Sequence, residues 1–214
     1  MKNKKREAHN QIISGTIYAT IIATVFFFSC PKVSAFPLFG SSKSENKKDV
    51  KVIEEKKNDN KTFYTARTVI EAPPRIVWEA VHEERQHDPD LEYNKILEKG
   101  ENKCRLEQKF KLIPVIGSAV CEMKNWEVPL KRIDYKLIKS DRFKSMEGSW
   151  VLTSKDNGRS TLLELSTHLD LGFPVPGTLM KSVTSKKLTR RLTNVKKMAE
   201  DTQRKLAVKP VNAP

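Results

Sequence analysis

The chain has 214 residues and a formal net charge of +14, and 38% of its residues are hydrophobic. A composition this polar excludes a multi-span membrane protein and is typical of one ordinary domain with extensions. The excess charge lies near the ends, because residues 62–179 sum to zero whereas residues 1–35 carry +4 and residues 180–214 carry +8. The neutral central part makes nucleic acid an unexpected partner.

Residues 1–35 have the pattern of an export signal. Four basic residues within the first six precede an apolar stretch, residues 12–28, and Val33 and Ala35 stand at the −3 and −1 positions of a cleavage site. We predict cleavage after Ala35. Two alternatives stay open, since the stretch approaches the length of about 20 residues of a single membrane anchor and Cys30 follows a poor lipoprotein-type pattern. Each alternative predicts a domain exported across a membrane or anchored to one.

Two further segments are too polar to fold by themselves. Residues 36–61 are rich in Lys, Glu, Asn, Asp and Ser, which predicts a flexible charged linker, and residues 208–214 are expected to form a disordered tail. The remaining cysteines, Cys104 and Cys121, fall on neighbouring predicted strands too far apart for a disulfide, so we expect both to be free.

The predicted domain, residues 62–207, begins with alternating apolar and polar residues over 62–71, the pattern of a strand. Pro73 and Pro74 then mark the start of a helix that continues to Val81, and we expect a short second helix or a loop at 82–94. Turn residues separate the rest of the chain into strands at 93–99, 103–113, 118–128, 132–139, 146–153 and 161–171, followed by a helix at about 179–207.

This order of elements resembles the START-like (SRPBCC) superfamily, and so do the residues Val-Ile-Glu-Ala-Pro at 69–73, Val-Trp-Glu-Ala at 77–80 and Pro-Val-Pro-Gly at 174–177. The similarity covers residues 62–205 and is to the branch of polyketide cyclases and coenzyme-Q-binding proteins. It implies an α+β helix-grip fold, in which a curved antiparallel sheet of about seven strands wraps around a long C-terminal helix and leaves a cavity. Members range from lipid carriers to cyclases, so the resemblance leaves the function open.

The C-terminal helix is predicted to be amphipathic. Its apolar arc comprises Thr184, Leu188, Leu192, Val195, Ala199, Thr202 and Leu206. The basic residues Lys186, Lys187, Arg190 and Arg191 are the candidates for contact with an anionic membrane. A merely solvated face, an acidic partner and RNA are the alternatives for this charge.

Two turns expected at one end of the sheet are apolar, where turns are normally polar. They supply the predicted portal loops of a cavity, Ile113, Val115, Ile116, Phe173 and Val175. These loops would either meet a bilayer or hydrophobic partner, or fold over the cavity as a lid.

Alternation along the strands and the helix arc give the predicted cavity lining, which is Leu106, Gln108, Phe110, Cys121, Met123, Tyr135, Met146, Trp150, Leu163, Leu165, Leu188 and Leu192. The same residues would equally describe a packed core.

Catalytic chemistry is weakly indicated. His82 and His87 are five residues apart, so they cannot share a helix face as zinc ligands, and residues 82–87 are interpreted as a polar surface of a helix. His168 is the one acid–base candidate, although the leucines on the other face of its strand suit a cavity better. We expect no metal and no cofactor.

The sequence thus predicts a monomeric, exported protein that binds or transfers a hydrophobic ligand such as a lipid, quinone or isoprenoid, without catalysis and with peripheral membrane contact. Two alternatives stay open. One is a cyclase or dehydrase acting on a polyketide-like substrate, and the other is a scaffold that binds a protein partner.

Overall fold

A computed structural model describes residues 50–56, 61–111 and 117–208. The predicted signal segment, the tail after Val208 and the portal residues Ile113, Val115 and Ile116 lie outside the described residues. The elements, in chain order, are β1 (Lys51–Lys56), β2 (Thr62–Ile70), α1 (Pro74–Gln86), β3 (Leu91–Lys99), β4 (Lys103–Lys111), β5 (Ser118–Val128), β6 (Arg132–Ser140), β7 (Ser145–Lys155), β8 (Ser160–Asp170) and α2 (Gly177–Val208).

All eight strands form one antiparallel sheet in the order β1-β2-β8-β7-β6-β5-β4-β3. Strands β3 to β8 follow one another as a meander, whereas α1 carries the chain from β2 to β3 at the far edge. The curved sheet and the long α2 confirm the predicted helix-grip α+β fold, with eight strands in place of about seven.

The additional strand is β1, which lies within the predicted flexible linker, so that prediction is wrong for residues 51–56. These residues pair with β2 in register from Lys51 opposite Arg67 to Lys56 opposite Thr62. Val52 also packs against the main hydrophobic core. Backbone pairing and this one apolar contact order a segment whose composition alone predicts disorder.

Of the two alternatives predicted for 82–94, a short second helix or a loop, the described residues contain no separate second helix. Instead α1 continues to Gln86, where the His87 backbone N–H donates to the Glu83 carbonyl (3.1 Å), and β3 begins at Leu91. The helix continues because Glu84 extends its buried face, which the prediction assigned to solvent.

The core has two parts on the inner side of the sheet. The main cluster joins β2, β7 and β8 to α1 and α2 around Trp150 and Leu192, and a smaller cluster lies between β4, β5 and the turn at Phe143. Tyr135 packs against both clusters. The space between them becomes the cavity described below.

The predicted apolar arc of α2 is buried from Thr184 to Ala199, but Thr202 and Leu206 are exposed. The carboxylate of Glu200 accepts a hydrogen bond from the Glu71 backbone N–H just after β2 (3.2 Å). The last eight residues of α2, about two turns, therefore extend beyond the point where the helix meets the end of β2.

Cys104 and Cys121 are free, as predicted. Strand register places Cys104 opposite Asn125 and Cys121 opposite Gln108, four positions apart along β4 and β5.

Candidate functional site

A cavity of about 230 Å³ lies between the inner face of the sheet and the first half of α2. Its wall is mainly apolar, as hydrophobic ligand sites are. The apolar residues that line it are Leu91, Phe110, Met123, Phe143, Met146, Trp150, Leu165, Leu169, Leu171, Val175, Leu179, Met180, Val183 and Leu188.

The predicted lining residues separate into two groups. Those that line the cavity are Gln108, Phe110, Met123, Tyr135, Met146, Trp150, Leu165 and Leu188. Two of the remaining candidates, Leu163 and Leu192, have no exposed surface and pack in the main core. The part of the predicted cavity that they were expected to line is therefore filled by side chains. Cys121 packs in the smaller cluster, with its thiol donating to the Ser140 hydroxyl (3.3 Å), and Leu106 belongs to that cluster too.

One end of the cavity is apolar and lies at the surface. Strand register brings Ser145 opposite Asp170, and Cys121 opposite Ser140, so the β6–β7 turn and the exit from β8 share this end of the sheet. Phe173 is 48% exposed there and Leu179 is 44% exposed, while Val175 lines the cavity itself. We call this end the mouth.

The opposite, inner end carries a buried ion pair between the two helices. Arg191 of α2 donates from Nε and Nη2 to the Glu84 carboxylate of α1, with the shortest distance 2.8 Å, and its Nη1 lies 3.3 Å from Asp88. The guanidinium also lies over the Trp150 ring, 5.1 Å from its centroid. Burial alone would lower the pKa of Arg191, but the charges of Glu84 and Asp88 raise it above its ordinary value. Arg191 therefore stays charged.

Two corrections follow from this pair. Arg191 cannot belong to a membrane-facing surface, because its side chain lines the cavity and is 21% exposed. Glu84 is not a surface residue of α1, because its side chain is 2% exposed.

A second set of ion pairs ties the segment after α1 to α2. Arg190 donates to Asp90 (2.7 Å) and lies 3.6 Å from Asp88, and Lys187 lies 3.2 Å from Asp90. Burial alone would raise the pKa of Asp90, but the Arg190 hydrogen bond and the Lys187 charge hold it below its usual value. Of the predicted membrane-facing basic residues, Lys186 alone is exposed and takes part in no ion pair within the described residues.

Arg85 forms the third charged contact of the cavity wall. Its Nη1 donates to Glu127 (3.3 Å), and with the Asn125 amide oxygen facing it, Nη2 donates to that oxygen at 2.8 Å. His82 lies on the other side of Glu127 (3.5 Å), and burial lowers its pKa although the Glu127 charge opposes this shift. These residues separate the cavity from a more polar surface groove of about 330 Å³ beside β3 and β4, which Leu106 and Cys104 line.

Uncharged polar groups also line the cavity, next to Arg191. The Tyr135 hydroxyl donates to the Ser166 carbonyl (3.1 Å), and Thr167 lies beside it in the wall. Burial raises the pKa of Tyr135, so the phenol is protonated at neutral pH. A Cβ on Gly148 would lie 2.6 Å from Tyr135 Cζ, so only glycine lets the ring cross β7 at this point.

His168, the sequence candidate for catalysis, is not in the cavity wall. Its Nδ1 donates to the Thr62 carbonyl (3.0 Å) and its Nε2 lies 3.1 Å from the Ser145 hydroxyl. It lies on the outer face of β8, beside Phe63. The side chain is satisfied where it is and cannot act on a molecule in the cavity.

Sequence reasoning missed the charged residues in and beside the cavity wall, and a signal for two of them, Glu84 and Arg191, exists. Glu84 follows Val77 and Val81 at helical spacing, and Arg191 follows Leu188 and precedes Val195 in the same way. One acid and one base, each on the apolar stripe of a separate helix, is the pattern of a buried interhelical ion pair.

Within the described ranges, no helix is long and apolar enough to cross a membrane. The same residues contain no cluster of three or more side chains able to hold a metal ion.

Comparison with known proteins gives matches in structure but not in sequence. No protein-family model matches the chain, and no curated protein matches it. One similar structure is an aromatase/cyclase from Streptomyces sp. R1128, with 17% identity, a TM-score of 0.53, and coverage of 71% of this chain and 94% of that chain. A second is human StAR-related lipid transfer protein 5, with 13% identity, a TM-score of 0.56, and coverage of 72% of this chain and 84% of that chain. A third is a START superfamily protein from Mycobacterium smegmatis, with 18% identity, a TM-score of 0.52, and coverage of 67% of this chain and 98% of that chain. The cavity, the wrapped helix and these similarities together identify the domain as one with the START-like helix-grip fold.

Proposed function

We propose that this domain binds a hydrophobic small molecule between its sheet and α2 and transfers it without chemical conversion. The observation that carries the proposal is the mainly apolar cavity with an apolar mouth. A ligand there exchanges water for leucine, methionine and aromatic side chains, which is favourable in proportion to the apolar area buried. The lipid-transfer title of one protein of this fold supports the same use of the cavity.

The state of the titratable groups favours a carrier over an enzyme. The cavity-lining charges of Asp88, Asp90 and Arg191 are held in ion pairs, and His168 lies on the outer face of the sheet. A general base needs a free lone pair within reach of its substrate. None of these groups offers one.

A cyclase remains the second candidate because the buried Tyr135 phenol faces the cavity, and one protein of this fold is titled an aromatase/cyclase. The Tyr135→Phe variant separates the two functions. A cyclase would lose turnover of a poly-β-ketone substrate, whereas a carrier keeps its affinity for a hydrocarbon probe.

We further propose that the domain is exported and meets an anionic membrane with its mouth. Exposed Phe173 and Leu179 would enter the interface, and Arg142 of the neighbouring β6–β7 turn would approach the lipid phosphates together with Lys144, which is 74% exposed and has only a long contact of 3.7 Å to Asp170. This surface replaces the one predicted around Arg190 and Arg191, whose charges are paired within the protein.

The cavity proposal is tested with diphenylhexatriene, an uncharged hydrocarbon that fluoresces when bound. Leu169 lines the cavity on β8, and Leu162 lies on the outer face of the same strand. Leu169→Trp fills the cavity and should weaken binding at least tenfold, while the matched Leu162→Trp should leave it unchanged. Equal binding by both variants would refute a ligand site in this cavity.

The membrane proposal is tested by sedimentation with vesicles of phosphatidylcholine and phosphatidylglycerol. Phe173→Asp should reduce binding strongly, and added salt should weaken binding of the wild type. Leu130→Asp is the control, because Leu130 is 42% exposed in the β5–β6 turn at the opposite end of the sheet. Equal loss in the two variants would show that the mouth is not the membrane contact.

A further inference from the structure

The charges that line or border the cavity balance one another. The cations are Arg85, Lys187, Arg190 and Arg191, and the acids that face them are Glu84, Asp88, Asp90 and Glu127. Each cation has an acid within 3.3 Å. His82, which also faces Glu127, has a lowered pKa and is neutral at neutral pH.

These ion pairs leave no accessible charged group free to bind a charged ligand group, because the one buried side-chain nitrogen without a hydrogen-bond partner in the described residues, Nε of Arg190, is itself inaccessible. Arg191 already uses Nε and Nη2 on Glu84 and has Asp88 at its Nη1, so a ligand carboxylate would have to displace one of these two acids. The displaced Glu84, 2% exposed, would be a buried charge without a partner. A ligand ammonium would likewise have to displace a cation, because Asp90 is already paired with Arg190 and Lys187.

Uncharged polar groups provide the alternative contact. Tyr135 donates its one hydroxyl proton to the Ser166 carbonyl, and its oxygen interacts with the Thr167 side chain and keeps a second lone pair able to accept. Thr167 contributes a second hydroxyl to the wall beside it. Both are next to Arg191 and Trp150 at the inner end, and the residues towards the mouth, such as Leu171 and Leu179, are apolar.

We infer that the ligand is an uncharged amphiphile, with a hydroxyl group against Tyr135 and Thr167 at the inner end and an apolar body that extends towards the mouth. This inference rests on the proposed function, because it names the ligand class of the same cavity. Fatty acids and long-chain amines are excluded by the same charge balance. Along α2 the distance from Leu179 to Arg191 is about 18 Å at the helical rise per residue, so the apolar body lies along three turns of helix.

Three compounds with the same ten-carbon chain test the inference: decan-1-ol, decanoic acid and decylamine. Each compound is titrated into the full-length protein with bound diphenylhexatriene at neutral pH, and the loss of fluorescence measures displacement. We expect decan-1-ol to do so at a concentration at least tenfold lower than either charged compound. Tyr135→Phe should weaken decan-1-ol two- to tenfold, the range for one hydrogen bond, and leave diphenylhexatriene binding unchanged.

The Glu84→Gln variant is expected to change the ligand preference in one stated direction, towards the carboxylate. The variant leaves Arg191 with less negative charge around it, so decanoic acid should gain at least tenfold relative to decan-1-ol. Glu83→Gln is the matched control, because Glu83 is the neighbouring acid on α1 with its side chain 59% exposed, and it should not change the preference. Folding of each variant is checked by urea unfolding before binding is compared.

The outcomes separate this inference from the proposed function. Wild-type protein that binds decanoic acid or decylamine as tightly as decan-1-ol overturns the uncharged ligand and leaves a hydrophobic site in place. If the protein binds diphenylhexatriene but none of the three compounds displaces it, the uncharged amphiphile is likewise overturned and the hydrophobic site stays in place. Failure of the wild type to bind diphenylhexatriene at all overturns the proposed function, and the inference with it.

Discussion

Replacement of Arg191 by Met should destabilise the domain more than any surface substitution. Methionine approximates the length of the arginine stem but removes the guanidinium that donates to Glu84 and lies near Asp88. The two carboxylates are 2% and 4% exposed, so water cannot replace the lost partner of Glu84. Asp88 keeps a longer contact to Arg190 at 3.6 Å.

The expected loss is about 3–5 kcal/mol, the usual cost of removing one partner from a buried ion pair. For a domain of this length that corresponds to a fall in Tm of about 6–20 °C. The contact between Arg191 and the Trp150 ring adds a smaller part. Such a loss is a large fraction of the total stability of about 5–15 kcal/mol that ordinary domains have.

Urea unfolding followed by circular dichroism measures the effect, with two companion variants. Arg191→Lys retains the charge without the planar fork, so we expect a smaller loss of about 1–2 kcal/mol. Glu84→Met combined with Arg191→Met removes both buried charges of the pair and should recover at least about 2 kcal/mol of the single-variant loss. A single-variant loss below about 1 kcal/mol, or no recovery in the double variant, would refute a buried pair between Arg191 and Glu84.

Three further predictions concern packing and pH. Gly148→Ala should cost about 1–3 kcal/mol, because its Cβ would lie 2.6 Å from Tyr135 Cζ, and an unchanged urea midpoint would contradict that contact. Leu192→Ala should lower the free energy of unfolding by about 2–5 kcal/mol, because Leu192 has no exposed surface. A loss below about 1 kcal/mol would mean that α2 does not pack closely against the sheet at this residue. The lowered pKa of Asp90 gives stability that is fully present above the unfolded value of about 3.9 and is lost as pH falls through the folded pKa. Asp90→Asn should therefore reduce the free energy of unfolding at neutral pH and flatten its acid dependence, and parallel pH curves for the two proteins would contradict the ion pairs to Arg190 and Lys187.

The meander was predictable because its turns carry strong local signals. Gly100 to Asn102, Pro129 and the Asp-Asn-Gly turn at 156–158 stand between alternating runs, and the predicted strand at 118–128 matches β5. Strand β1 was not predictable in the same way. It pairs with the next strand of the chain, but its composition of charged residues favours a linker and hides this pairing.

The cavity lining was predictable only in part, because alternation assigns a face but not a depth. Leu165 and Leu163 lie on the same face of β8, yet Leu165 borders the cavity and Leu163 is closed off by the main core. The difference depends on where α1 and α2 pack against the sheet. Arg191 was predicted to face a membrane because charged residues of a helix are usually exposed, and its partner Glu84 is 107 positions away in the chain.

The central claim is that a hydrophobic molecule occupies the space between the sheet and α2. It is tested most directly by purifying the full-length protein from a membrane-containing host, extracting it with organic solvent and identifying the extracted molecules by mass spectrometry. We expect about one uncharged apolar molecule per chain from the wild type and from Leu162→Trp, and almost none from Leu169→Trp, whose new side chain fills the cavity. Equal amounts of the same molecule from all three proteins, or none from a wild type that also fails to bind diphenylhexatriene, would contradict the claim.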